Sequence, residues 1–136
     1  MSAMDDFRQW LGEQLDHDER IARRAGDSFR QIGETGVIVA TEGDRAEECA
    51  TANWGGIAEH IVEHDPARVL RETDCKRQQL DEHQDVNDGS CGTCVDGQWG
   101  YPTHGGSTPQ RYPCRTLRLV ALPYADRPGY LESWRP

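Results

Sequence analysis

A pair of cysteines two residues apart, Cys91 and Cys94, constrains this chain more than any other feature. Cysteines at this spacing form a knuckle whose backbone N–H groups point at the thiolates, and tetrahedral zinc then needs two more ligands. Cys114 lies near the start of the predicted last helix, where the helix dipole favours a thiolate. His83, at the end of the preceding predicted helix, is the best fourth ligand. A Cys3His set leaves no open coordination position and predicts a structural Zn²⁺ site.

The chain contains other cysteines and histidines that could bind a metal. His104 lies in the predicted loop and can replace His83, so both remain candidates. Cys75 lies about two helical turns before His83, so the two could not easily reach one metal. We interpret Cys75 and Cys49 as small buried apolar residues. A thioredoxin-like redox role for the pair is disfavoured, because the glycine-rich sequence after Cys94 cannot be helical for long.

The composition suggests that the fold needs stabilisation beyond its apolar core, such as a bound metal. Only 35% of the 136 residues are apolar and the mean hydropathy is −0.83, so the core is thin for the length. The first ten residues contain no secretory apolar run, and no stretch approaches the roughly 20 apolar residues that span a bilayer. We therefore expect a cytoplasmic protein without membrane contact, where cysteines serve as ligands or buried thiols.

The formal charge of −9 is unevenly distributed. Residues 1–99 carry a net −12, whereas residues 100–136 carry five arginines against two carboxylates, a net +3. An acidic body argues against nucleic acid as the partner, because phosphate contacts dominate that affinity. The basic segment leaves a small local anion site open.

Hydrophobic periodicity predicts an α+β fold in one domain. An amphipathic helix covers residues 2–25, with its apolar stripe formed by Phe7, Trp10, Leu11, Leu15, Ile21, Ala22 and Ala25. Three short strands, near residues 29–32, 37–41 and 46–51, read as an antiparallel meander. Asn53 is predicted to cap a short helix, and Asp65-Pro66 begins a long helix to His83 that buries Val69, Leu70, Thr73 and Leu80.

The remaining sequence is a long loop followed by one short helix. Residues 85–110 have loop composition, and metal binding would explain such a loop in a compact domain. Pro113 is predicted to start the last helix, and the tail with Tyr124, Tyr130 and Trp134 is expected to pack back on the domain. The predicted organisation is a helix–sheet–helix body (1–84) and a zinc-binding loop with the C-terminal helix (85–136), packed as one domain.

Two further constellations suggest alternatives. His60, Glu63 and His64 match the HxxEH pattern of zinc peptidases, in which two histidines bind a catalytic zinc and the glutamate is the base. The favoured interpretation is two helix-end histidines that cap and pack, because Asp65-Pro66 follows at once. Arg111, Arg115 and Arg118 could hold a phosphate or carboxylate of a small ligand or nucleotide. Deaminase, Walker and dinucleotide motifs are missing from the sequence.

Several segments resemble an uncharacterised family of small proteins from actinobacteria and their phages. The resemblance rests on residues 60–72 (HIVEHDPARVLRE), Lys76-Arg77, residues 113–130 (PCRTLRLVALPYADRPGY) and the final Trp-Arg-Pro. The family pattern has a His after the long helix, a CxxC pair and a Pro-Cys before the last helix, and it does not keep the position of Glu63 fixed. It thereby supports the zinc set. Residues 25–30 depart from the family's Pro-Gly-Pro-Trp-like entry to the first strand.

The order of helices and sheet also faintly resembles the ead-like early proteins of lambdoid phages. Together these resemblances imply a fold and a phage or mobile-element setting, but no reaction. Our leading hypothesis is a non-enzymatic zinc-binding protein that acts by macromolecular interaction, with a protein partner and a tendency to self-associate. The alternatives are the small-ligand or nucleotide binder and, after it, the zinc hydrolase.

Overall fold

The computed structural model describes residues 3–86, 90–92, 94 and 112–136. The α-helices are α1 (Ala3–Arg24), α2 (Gly55–Glu63), α3 (Pro66–Glu82) and α4 (Arg115–Ala121). The strands are β1 (Ser28–Gln31), β2 (Val37–Glu42), β3 (Arg45–Thr51), β4 (Asp85–Val86) and β5 (Ser90–Cys91). The predicted α+β fold is confirmed, with N-terminal helix, antiparallel meander, long helix and short last helix in the predicted order.

Contacts within the chain group it into two compact units. Unit 1 comprises residues 1–15 and 75–136, and unit 2 comprises Asp16–Asp74. Helices α1 and α3 each contribute residues to both units. The sequence-based division at residue 84, with both parts packed as one domain, stays a prediction. Among the described helices, none combines the length and apolar character of a membrane span.

Unit 1 has an aromatic core. Phe7 and Leu11 of α1 are fully buried, and Trp134 near the C-terminus packs against this helix. The Trp134 ring centroid lies 5.2 Å from that of Phe7 and 5.3 Å from that of Trp10. Tyr124 is buried in the same cluster, so the predicted packing of the tail is confirmed within this unit. Aromatic pairs in tilted and edge-to-face geometry add to the free energy of simple burial.

A close approach between α1 and the tail fixes the position of Trp10. Its indole Nε1–H donates to the carbonyl of Pro128 at 2.8 Å. The next residue, Gly129, has a φ of +91°, and a Cβ there would lie 2.7 Å from the same Nε1. Glycine is therefore required both by the backbone conformation and by the lack of space.

Unit 2 is built on the meander, in the order β1-β2-β3 with antiparallel neighbours. Ile38 and Val39 of the central strand are buried, whereas every residue of the edge strand β3 is exposed. Helix α2 lies next to β1, where the Gln31 side chain donates to the carbonyl of Gly55 at 3.0 Å. Such a small sheet needs a helix against it to be stable.

The helix ends differ in how well the sequence predicted them. Asp65 caps α3 as predicted, because its Oδ1 accepts from the backbone N–H of Arg68 at 3.0 Å. Its Oδ2 also accepts from the N–H of Phe29 at 3.1 Å, which joins α3 to β1. The prediction for Asn53 is wrong: α2 begins at Gly55, after Trp54, which makes no capping bond. Helix α4 likewise begins two residues after Pro113.

The buried stripe of α1 ends earlier than its periodicity predicts. Ile21 is 52% exposed and Ala25 is exposed, although Ala22 is buried as expected. These residues line an open, mainly apolar groove of about 310 Å³ within unit 2, together with Asp18, Phe29, His64, Pro66 and Val69. On α3, Thr73 and Leu80 are buried as predicted, whereas Val69 and Leu70 are only half-buried.

Replacing Gly129 with Ala is expected to lower the free energy of unfolding by about 2–4 kcal/mol, because the new methyl meets the Trp10 ring and strains the backbone. Gly12→Ala is the matched control: it lies inside α1, and a Cβ there meets nothing within 4 Å. That change should add about 0.5–1 kcal/mol, as Gly→Ala does in a helix. Urea denaturation measures both; equal effects would contradict the assigned contact.

Replacing Asp65 with Ala is expected to cost about 2–3 kcal/mol, because a helix cap and the acceptor for the Phe29 N–H are lost together. Asp65→Asn keeps one acceptor oxygen and should cost less. Asp44→Ala, at an exposed turn of the same unit, should stay within about 0.5 kcal/mol of the parent. Thermal and urea unfolding of the three variants test this order, and a neutral Asp65→Ala would refute the double role.

Candidate metal centre

The structure brings His83, Cys91, Cys94 and Cys114 together around one point. Nδ1 of His83 lies 3.3 Å from Sγ of Cys91, 3.4 Å from Sγ of Cys114 and 3.6 Å from Sγ of Cys94. All four ligand atoms lie within 4.8 Å of one another. Zinc bonds of about 2.3 Å to sulfur and about 2.05 Å to nitrogen give an N···S separation of about 3.6 Å in a tetrahedron. The geometry could therefore hold a metal ion.

Three of the four candidate ligands lie at the end of a helix or strand, and Cys94 lies in a turn after β5. His83 directly follows α3, and its backbone N–H donates to the carbonyl of Gln79 at 3.1 Å, which continues the helical hydrogen bonding by one residue. Cys91 lies on β5, which pairs with β4, and the N–H of Gly92 donates to the carbonyl of Gln84 at 2.7 Å. Cys114 occupies the N-cap position of α4. Three chain segments thus converge through their own backbone hydrogen bonds.

The site lies inside the core of unit 1. Cys91 and Cys114 have no exposed surface, His83 is 8% exposed and Cys94 is half-buried. The two buried thiols belong to the same cluster as Phe7 and Leu117. Apolar surroundings limit the access of water and competing ligands to a bound metal.

Burial raises the pKa of two of the thiols, Cys94 and Cys114. Burial, followed by the nearness of Cys114 and Cys91, raises the pKa of the Cys94 thiol to about 12. Burial also raises the pKa of Cys114, although the backbone amide of Leu117 opposes the shift. A divalent cation reverses this balance, because a coordinating thiol is deprotonated outright. The cluster suits a cation far better than it suits free thiolates.

One supporting residue, Arg8 of α1, was not found from the sequence. Its Nη1 donates to the carbonyl of Leu80 at 2.8 Å and to the hydroxyl of Tyr112 at 3.3 Å, and its Nη2 lies 3.6 Å from Asp81. Leu80 precedes His83 by three residues, and Tyr112 precedes Cys114 by two. One guanidinium therefore ties together two segments that carry ligands. Only its position beside Phe7, at the border of the apolar stripe, could have drawn attention to it.

The structure places the two other cysteines on the surface and does not describe the reserve histidine. Cys49 and Cys75 are exposed, so their prediction as buried residues is wrong. Cys75 lies on the solvent side of α3, and Cys49 falls where the pairing of β3 with β2 skips a residue on the edge strand. His104 lies outside the described residues.

The HxxEH residues lie at the exposed end of α2. The His64 Nδ1–H donates to the carbonyl of His60 at 2.8 Å, and the two rings pack in a tilted arrangement with centroids 4.5 Å apart. This is the capping and packing that the sequence favoured. Within the described part of the chain, the only group of three or more ligand atoms close enough to hold a metal is the His83 cluster, so His60, Glu63 and His64 form no second one.

The arginines proposed for anion binding are only partly described. Arg111 lies outside the described residues, and Arg115 is exposed at the first position of α4. The Arg118 guanidinium donates to the carbonyls of Pro113 at 3.2 Å and Arg135 at 3.3 Å. Arg118 thus connects the two ends of the C-terminal segment.

Comparison with known proteins identifies a family and no relative of known activity. No curated protein and no solved structure matches the chain. A family model described as "Family of unknown function (DUF6221)" matches residues 4–136, which is almost the full length. The chain therefore belongs to the DUF6221 family, whose function is unknown.

Proposed function

We propose that this protein is non-enzymatic, that His83, Cys91, Cys94 and Cys114 hold a structural zinc ion, and that it acts by binding another macromolecule. The convergence of three sulfurs and one imidazole nitrogen inside a core carries the proposal. Thiolate and imidazole ligands in tetrahedral arrangement suit zinc, whereas Mg²⁺ and Ca²⁺ prefer oxygen. Four protein ligands leave no position for a catalytic water, which supports a structural role.

Bound zinc would supply the positive charge that three crowded thiolates need. It would also join α3 and the β4–β5 hairpin that directly follows it to α4, which lies further along the chain. Structural zinc contributes on the order of 10 kcal/mol to the folding of small modules. That is comparable to the whole stability of a typical domain, so a chain with only 35% apolar residues would depend on it.

A metal ion with four protein ligands has no open position for a substrate, so we propose that the function lies on the protein surface. Unit 2 exposes several large apolar side chains, including Trp54 at 64% and Ile32 at 45%. Exposed apolar surface of this kind is a feature of protein interaction sites. The acidic charge favours a protein over a nucleic acid as partner. Self-association, a cytoplasmic location and the actinobacterial or phage setting implied by the resemblance stay predictions.

Protein purified without added zinc is expected to contain one zinc ion per chain by elemental analysis. Cys91→Ser or Cys114→Ser should abolish stoichiometric zinc and lower the thermal midpoint strongly, because each removes a buried ligand. Cys49→Ser and Cys75→Ser are matched controls at exposed positions and should leave both quantities unchanged. Stoichiometric zinc in Cys114→Ser, or a metal-free parent, would refute the centre.

Counting reactive thiols gives an independent check on the same centre. The metal-loaded protein has five cysteines, of which only Cys49 and Cys75 should react quickly with an alkylating reagent. A strong chelator should expose the other three. Five reactive thiols before chelation would show that the cluster holds no metal in solution.

Replacing Arg8 with Met is expected to weaken zinc affinity by about 10–100-fold, the usual range for residues that support metal ligands. The change keeps a long apolar side chain and removes only the bonds to Leu80, Tyr112 and Asp81. Competition with a chromophoric chelator measures the affinity. Arg68→Met, which breaks the exposed ion pair with Glu72, is the control and should leave it unaltered. Equal affinities for both variants would exclude a positioning role.

A further inference from the structure

We propose that the solvent face of α2, formed by Trp54, Glu59, His60 and Glu63, binds an arginine-bearing segment of a partner protein. This inference rests on the proposed interaction role and names the class of its partner. It also gives a use to the HxxEH residues, which the metal centre does not employ. The metal centre and this face lie in different units.

The geometry of α2 puts an indole ring and two carboxylates on one side of the helix. Cδ1 and Nε1 of Trp54 lie 3.4 and 3.6 Å from the position that a Cβ on Gly56 would take. The ring therefore lies against the first turn of the helix. Glu59 and His60 follow Gly56 by three and four residues, and Glu63 follows Glu59 by four, so they share that side. All of these side chains are exposed.

The face carries negative charge that lacks a basic counterpart on α2. The helix contains Glu59 and Glu63 and no Lys or Arg. Arg68, near Glu63, pairs through its side chain with Glu72 at 2.9 Å and donates to the backbone carbonyl of Glu63 at 3.2 Å. The Arg68 charge also attracts that of Glu63. Both carboxylates are nevertheless exposed, so a partner can reach them.

An aromatic ring beside carboxylates matches the chemistry of arginine. The planar guanidinium stacks on an indole face and offers a fork of N–H donors to a carboxylate, whereas the lysine ammonium is compact and strongly hydrated. Exposed tryptophan is also among the residues most enriched at the energetic centre of protein interfaces. The combination favours arginine over lysine and favours a protein ligand.

Charge argues against two other occupants. Unit 2 contains fourteen Asp and Glu residues against seven Arg and no Lys, a net −7. A second copy that met this face with its own unit 2 would bring like charges together, and such contacts oppose association. Nucleic acid would meet the same repulsion through its phosphates.

The proposal is tested on the zinc-loaded, full-length protein with three peptides of equal length. Glycine alternates with arginine in the first, with lysine in the second and with glutamate in the third. NMR titration follows backbone amides and the Trp54 indole N–H. The arginine peptide should shift α2 and Trp54 signals, bind about 2–5-fold more tightly than the lysine peptide, and weaken with salt. The glutamate peptide should not bind. Shifts elsewhere, or equal arginine and lysine affinities, would overturn the assignment.

Two variants locate the contacts. Trp54→Leu keeps an apolar side chain and should weaken arginine-peptide binding at least about 3-fold, the loss expected for one cation–π contact. Glu59→Gln with Glu63→Gln should weaken it further. Glu47→Gln with Glu48→Gln on β3 removes the same charge from another exposed part of unit 2 and is the matched control. An equal loss in the control would show non-specific charge attraction and sink the proposal.

Sedimentation and zinc analysis of the same samples separate the remaining outcomes. If the parent is a dimer and Trp54→Leu makes it a monomer, the face binds a second copy of this chain, and the arginine assignment is overturned. A zinc-free parent would refute the proposed centre, whatever α2 binds. If the parent contains zinc but does not bind the arginine peptide, this inference is refuted and the proposed metal centre is not.

Discussion

The meeting of three thiols and one imidazole in the core of unit 1 is the constraint on which the rest of that unit depends. The donors come from the end of α3, from β5 with the turn after it, and from the start of α4. Burial and mutual proximity raise the pKa of Cys94 to about 12, so the arrangement disfavours ionisation while it stands alone. A site of this kind gains most from a divalent cation, since the cation converts repulsion among thiolates into coordination.

Support for the cluster comes from α1, which supplies no ligand. Arg8 connects the segments before His83 and Cys114, and Phe7 packs in the same buried cluster as Cys91 and Cys114. Trp134 closes this cluster from the C-terminus, at 5.2 Å from Phe7. The His/Cys cluster and the aromatic core are therefore parts of one packed structure, and a substitution in one is expected to disturb the packing of the other.

The sequence predicted what depends on local spacing. The spacing of Cys91 and Cys94 predicts metal binding, because two intervening residues suffice to form a knuckle. Asp65-Pro66 predicts a helix start through local hydrogen bonding. Several features set by distant contacts were not predicted. Arg8 acts across more than 70 residues to Leu80 and more than 100 to Tyr112. The exposure of Cys49 and Ile21 likewise depends on which neighbours cover them, and no local pattern encodes this.

The two units differ in how they use their apolar residues. Unit 1 buries Phe7, Leu11, Leu117 and Trp134 around the ligand cluster. Unit 2 buries few apolar side chains beyond Ala22, Ile38, Val39 and Ala58, and leaves Trp54 largely exposed. An exposed tryptophan gives up burial free energy of about 1.5–3 kcal/mol or more. A partner that covered the Trp54 ring, as proposed for the α2 face, would recover part of this free energy. Unit 1 thus places its largest aromatic residues beside the ligand cluster, whereas unit 2 keeps its tryptophan on the surface that we propose for a partner.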